Sequence, residues 1–217
     1  IMERLVGSEM CIRDRATTQV VGRDRYIEYV SWLANVAASC EKILQEIRNL
    51  QRSEIQEAGE GFDIQKQVGS STMAHKKNPI KSENASGLAR IVRSMIIPTY
   101  ENALLWHERD LANSSSERFT LSHGSALCED VINKTRQVLT NMWVDADRCL
   151  ENIKSQRGLV MAEKVMIELV EHGIPRDEAH EILRSASFEA VDKKIELIDV
   201  CSRTPEIAAA FLSLIHI

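Results

Sequence analysis

VSWLANVAASCEKILQEI, residues Val30 to Ile47, carries apolar side chains at Val30, Leu33, Ala37, Cys40, Leu44 and Ile47. Steps of three and four keep these groups in one stripe along an α-helix, whereas a half-buried strand alternates every second residue. The predicted helix runs from about Thr18 to Arg52. Further on, Ile80, Leu88, Ile91, Val92 and Met95 repeat the spacing. Pro79 stands where a first-turn proline is tolerated, and Pro98 is expected to kink or break that helix. Cys128, Val131, Thr135, Val138 and Met142 form a third seam. Three such seams predict an all-α protein built on a long-helix bundle, with helices near 18–52, 79–105 and 118–145.

Composition agrees with this reading. The 217 residues are 44% hydrophobic and 27% charged, enough to bury a real core. Nine glycines, four prolines and 5% aromatics disfavour a turn-rich sheet protein. The net charge of −5, with 32 acids against 27 Lys and Arg, excludes a broad basic face, so no nucleic-acid partner is expected and any anion site must be local. Cys11, Cys40, Cys128, Cys149 and Cys201 lack CxxC spacing and point to neither zinc nor a disulfide framework. No apolar run approaches the roughly 20 residues of a membrane span, and the expected location is the cytoplasm.

Beyond Asp145 the elements shorten. Residues 158–173 read as a compact helix with Leu159, Val165, Met166, Leu169 and Val170 on one side and Gly173 as its stop. Pro175 and Asp177 open a helix through Leu183, and Thr204, Pro205 and Glu206 form a capped start for another. The opening IMERLVGSEMCIRDR has no helical period and, like the closing LSLIHI, is similar to translated adapter sequence. The expected organisation is a leader at 1–15, a central bundle domain at 16–147, a small helical domain at 148–211 and a tail at 212–217.

One stretch breaks the helical pattern. GSSTMAHKKNP, Gly69 to Pro79, lies in a polar loop at 67–79 and offers close backbone approach, two hydroxyls, the Lys76 charge and the Asn78 amide. That set suits a carboxylate; a solvated interhelical loop has the same composition. The GxxxxGK spacing of a phosphate-binding P-loop is absent. A second polar cluster, HERDLANSSSER at His107 to Arg118, brackets three serines with Arg109 and Arg118. It suits a phosphate or carboxylate, or else salt bridges of the two arginines to Glu108, Asp110 or Glu117.

GSSTMAHKKNP closely resembles the signature loop of the fumarase/aspartase superfamily, G-S-S-x-M-P-x-K-x-N-P. Within that superfamily ERDLANSSSER is similar to the E-R-D-x-x-x-S-S-x-E-R segment of the adenylosuccinate lyase family. TTQVVGRDR, Thr17 to Arg25, is similar to its T-Q-x-x-x-R-D-R stretch, and GLVMAEKVMIELVEHGIPRDEAHEIL to its C-terminal domain. The resemblance covers about residues 16–211 and lacks the family's N-terminal half and last helices. Ala74 stands where the family has proline, and Gly22 where a larger polar residue is usual.

The resemblance implies a C–N lyase that eliminates fumarate from adenylosuccinate and from succinylaminoimidazole carboxamide ribotide, with no metal or organic cofactor. It implies a small-molecule succinyl-nucleotide substrate and a homotetramer. Carried over by position, Ser70 is the general base, in a loop that closes to exclude water. Gln19 and Ser71 contact substrate, and Lys76 and Asn78 hold the carboxylate whose charge grows in the transition state. Glu83 orders the loop, and Arg109, Ser114 and Arg118 bind the nucleotide side. The family's general-acid histidine has no counterpart among His75, His107, His123, His172 and His180. Carboxymuconate cycloisomerases and argininosuccinate lyases share the Ser70 loop, and a non-catalytic helical scaffold is the alternative of another class.

Overall fold

Neither glycine nor proline occurs between Asp24 and Leu50, and the chain there forms one helix, α1 (Asp24–Leu50), of 27 residues. At 1.5 Å per residue it is about 40 Å long. The computed structural model describes residues 21–62, 77–106 and 110–212. The chain divides into two compact units between Val144 and Asp145.

The first unit continues through β1 (Ala58–Gly59), α2 (Ile80–Ser94), α3 (Ile96–Glu101), α4 (Ala112–Glu117), a π-helical turn at Arg118–His123, α5 (Gly124–Asn141) and β2 (Trp143–Val144). Helices α1, α2 and α5 pack on one another. Leu33, Ala37, Ala89, Val92, Cys128 and Val131 form one core cluster, and Leu44, Ile47, Ala85 and Val138 another. Among the described residues the single ladder is antiparallel, with Ala58 opposite Val144 and Gly59 opposite Trp143. The fold is all-α.

The α1 seam and the α5 seam up to Val138 lie where their spacing places them, whereas the α2 face is met only in part: Val92 is buried and Leu88 packs against the core, but the two isoleucines point outward. The buried residues of α2 are Ser82, Ala85, Ser86, Ala89 and Val92, while Ile80 and Ile91 are 41% and 49% exposed. Small side chains let α2 lie close against its neighbours. Ser86 Oγ donates to the Ser82 carbonyl at 2.7 Å, and Thr135 Oγ1 to that of Val131 at 2.8 Å, so each hydroxyl is satisfied within its own helix.

Three boundaries also differ. Residues 21–23 are not helical, and residues 18–20 of the expected first helix lie outside the described residues. The second helix breaks at Met95, before Pro98, and ends at Glu101. Pro98 then falls in the first turn of α3, where the amide it lacks has no intrahelical partner. The third begins as a π-helical turn and ends at Asn141, because the chain enters the ladder at Trp143.

The second unit contains α6 (Ala146–Ser155), a 3₁₀ turn (Leu159–Met161), α7 (Ala162–Glu171), α8 (Arg176–Lys193), α9 (Leu197–Cys201) and α10 (Pro205–Leu212). The Asp145 carboxylate caps α6 by accepting the Arg148 amide at 2.9 Å. Leu169, Leu183 and Ile207 pack with Ala179, Ala186 and Ala190. Gly173, at φ +91, follows α7 as its stop, but Val170 is 38% exposed and not on the inward side. Helix α8 runs ten residues past Leu183 to Lys193, and Thr204 donates its hydroxyl back to the Val200 carbonyl at 3.0 Å. No helix among the described residues is long and apolar enough to cross a membrane.

Ala89 is fully buried, so Ala89→Leu is expected to overpack the α1/α2 contact and destabilise the bundle by about 1–3 kcal/mol. Ile91→Ala should stay within about 0.5 kcal/mol. Denaturant unfolding of the two variants checks the difference.

Candidate functional site

Helix α2 starts without a cap of its own, since Pro79 at its N-cap has no side-chain acceptor. First-turn amides buried without a partner are costly. Glu60, 4% exposed, supplies the acceptors. Its Oε1 accepts the Lys81 amide at 3.1 Å, and its Oε2 accepts the Ser82 amide and the Ser82 hydroxyl, each at 2.9 Å. The carboxylate thereby faces the positive end of the helix dipole.

Gln51, just past the end of α1, holds Glu60 in turn. Its Oε1 accepts the Glu60 amide at 2.9 Å, while its Nε2 donates to the Lys77 carbonyl at 2.9 Å. One side chain thus ties the chain on both sides of residues 63–76. The segment from β1 to Glu60 and Gly61 also passes close to the end of α5. A Cβ on Gly59 would lie 2.7 Å from the Trp143 ring, and one on Gly61 would collide with the Asn141 carbonyl oxygen. Two glycines here let the backbone approach closely enough to seat Glu60.

Beside this clamp lies a cavity of about 1030 Å³, whose lining includes Asn78, Glu83, Lys77, Arg48, Arg52 and Gln51. Three cations against one carboxylate give it a positive balance suited to an anionic ligand. Of the residues expected from sequence, Asn78 and Glu83 meet here. Gln19, Ser70, Ser71, Lys76 and Arg109 lie outside the described residues, as do His75, His107 and the leader and tail stretches 1–15 and 213–217.

Ser114 and Arg118 stand one turn apart, Ser114 on α4 and Arg118 at the start of the π-helical turn, so both lie on one face. They do not line the Asn78 cavity. Arg118 is exposed and has no ion-pair partner among the described residues. The acids beside it are engaged elsewhere. Asp110 accepts the Ala112 amide at 2.9 Å, and Glu117 accepts from Arg23 Nε at 2.7 Å and from Asn113 Nδ2 at 2.9 Å. Ser116 donates to Asn102 Oδ1 at 2.6 Å and so serves the framework.

The Arg23–Glu117 pair is 8% and 16% exposed. Arg23 also donates to the Val21 carbonyl and lies over the Tyr26 ring, 5.7 Å from its centroid. It fixes the entry to α1 against α4. Burial pushes the Cys128 thiol up, with the nearby Cys40 adding to it, and burial likewise raises Cys201, so both remain unreactive core thiols.

Glu60, Gln51 and Arg23 were not among the expected site residues. The sequence carried no signal for them: Asn78 before Pro79 reads as an ordinary cap, and only the structure puts Pro79 itself at the N-cap, where an acceptor must come from elsewhere.

Two family models match the chain: one described as Lyase over residues 2–94, and one as Adenylosuccinate lyase C-terminus over residues 158–216. Among solved structures the fold is similar to a fumarate lyase from Mesorhizobium sp. BNC1, with TM-score 0.75 and 29% identity over 87% of this chain and 40% of that one. It is also similar to a 3-carboxy-cis,cis-muconate lactonizing enzyme from Pseudomonas putida, with TM-score 0.73 and 30% identity over 87% and 41%. The chain belongs to this lyase family.

Within the family its sequence places it with the adenylosuccinate lyases. It is 46% identical to the adenylosuccinate lyase of Archaeoglobus fulgidus, over 84% of this chain and 41% of the relative. It is 45% identical to that of Methanothermobacter thermautotrophicus, over 88% and 42%. The chain therefore spans about two fifths of the length of these curated relatives.

Arg23→Ala leaves Glu117 largely buried without its cation and is expected to destabilise the first unit by about 3–5 kcal/mol. Arg52→Ala, which removes an exposed contact to Glu54 at 3.8 Å, should change stability by less than about 1 kcal/mol. Denaturant titration of both variants tests this contrast.

Proposed function

We propose that the whole protein is a C–N lyase of purine synthesis that eliminates fumarate from adenylosuccinate and from succinylaminoimidazole carboxamide ribotide. The observation that carries this reading is 46% identity to an adenylosuccinate lyase across 84% of the chain. The reaction needs a base for the proton on the carbon next to a carboxylate, donors for the charge that then grows, and an acid for the departing nitrogen.

Ser70 is the base, with Lys76 and Asn78 holding the carboxylate and Ser71 and Gln19 contacting the substrate beside it. Glu83 orders the loop. Arg109, Ser114 and Arg118 take the nucleotide end, mainly its phosphate. The positive cavity beside Asn78 and the exposure of Arg118 support an anionic substrate. The protein works in the cytoplasm without a metal or organic cofactor.

It also works as a homotetramer. Trp32, Ile97, Leu104 and Leu111 are between 58% and 74% exposed, large apolar side chains that a covering subunit would bury. The Asn78 cavity and the Ser114–Arg118 face do not share one lining, which fits a site completed between subunits.

In the whole protein, Ser70→Ala is expected to abolish turnover while binding is nearly retained. Arg118→Ala should weaken substrate binding by roughly 1.5–3 kcal/mol. Fumarate release and calorimetry read these separately; full turnover in Ser70→Ala contradicts the base assignment, and affinity indifferent to Arg118 favours a lyase of another substrate. Light scattering should find a tetramer, and a fully active monomer would refute the assembly.

A further inference from the structure

The acceptor for α2's first turn comes from outside the signature motif, and this gives a residue beyond that motif a part in the reaction. We propose that Glu60 is a positioning residue for the elimination: by holding the Lys81 and Ser82 amides it fixes the start of α2, and through it Asn78. The proposal rests on the functional reading above, in which Asn78 holds the substrate carboxylate.

The linkage is short. Asn78 is separated from Lys81 by Pro79, whose ring restricts φ and which sits at −77°, and by Ile80, whose amide donates to the Asn78 carbonyl at 2.9 Å. The Pro79 carbonyl accepts the Glu83 amide at 2.9 Å, so this turn is rigidly hydrogen-bonded from Asn78 onward. A shift of the Lys81 and Ser82 amides is transmitted to Asn78 with little slack. At 4% exposure Glu60 leaves water little room to replace its oxygens, so the start of α2 keeps its place only while the carboxylate is present. Gln51 locks the other side, gripping Glu60 with one end of its amide and Lys77 with the other.

Glu60 also settles which groups meet the substrate anion. Its carboxylate already occupies the anion position at the N-terminus of α2, so the helix amides are spent on it. The substrate carboxylate is left to side-chain donors, of which Asn78 lines the cavity. A donor to a charge that grows in the transition state contributes more to kcat than to KM, and misplacing it lowers kcat first.

The test compares Glu60→Gln and Ser82→Ala with Leu169→Ala, a core variant of the second unit, all in the whole protein. Glu60→Gln places an amide donor against backbone donors while preserving size. It is expected to lower kcat on the order of 100-fold with KM changed by less than about threefold. Hydrogen exchange should show the Lys81 and Ser82 amides losing protection in Glu60→Gln. Ser82→Ala, which retains both amide bonds, should keep kcat within about threefold. Leu169→Ala should lower the melting temperature at least as much as Glu60→Gln yet leave kcat unchanged, which separates positioning from stability. Wild-type kcat in Glu60→Gln with rapid exchange at Lys81 and Ser82 overturns the proposal. A wild-type protein that releases no fumarate from either succinyl-nucleotide overturns the functional reading and this proposal with it, a result distinct from an active wild type indifferent to Glu60.

Discussion

The carboxylate of Glu60, buried against the first turn of α2, is the constraint around which the candidate site is arranged. A charge removed from water is tolerated only where its lone pairs are filled, and here two amides and a hydroxyl fill them. Satisfying that requirement fixes much else. The segment before residues 63–76 must pass close to the end of α5, which calls for Gly59 and Gly61. Gln51 must face both Glu60 and Lys77, which sets the end of α1. A helix that begins at a proline without a cap of its own is thereby held at a defined place in the first unit.

Away from this clamp the bundle depends on small side chains and one largely buried ion pair. Ala85, Ala89, Ser82 and Ser86 give α2 a narrow inner face, and Val92 completes it. Arg23 and Glu117 join the entrance of α1 to α4, where the chain continues into a π-helical turn before α5. Wide turns of this kind often occur at functional sites. Because Glu117 is held by Arg23 and Asn113, Arg118 next to it keeps its charge for solvent or for a ligand.

The helical architecture was legible because it rests on periodicity. The seams of α1 and α5 follow directly from Leu33, Ala37, Leu44, Val131 and Val138, all buried as their spacing requires. The face of α2 was legible only at Leu88 and Val92, because hydrophobicity ranks isoleucine above serine while close packing prefers the smaller side chain, and Ser86 can be buried once it bonds to its own helix. Asn78, Ser114 and Arg118 were singled out as motif residues, which carries no geometry. Glu60 and Arg23 were missed because a buried charge is defined by its partners, 22 and 94 residues away in the chain, and no local pattern encodes such pairings. The break at Met95 shows the same limit, since proline marks the neighbourhood of a break but packing chooses the residue.

The most direct measurement of the central claim is the substrate preference of the purified whole protein, with adenylosuccinate, argininosuccinate and 3-carboxy-cis,cis-muconate offered separately and product formation followed for each. The account requires fumarate from adenylosuccinate, with kcat/KM at least about a hundredfold above either alternative, because the proposed charge-assisted contacts to a nucleotide phosphate contribute roughly 1.5–3 kcal/mol each and a substrate without that phosphate forgoes them. Comparable or greater turnover of argininosuccinate or of the muconate would contradict it.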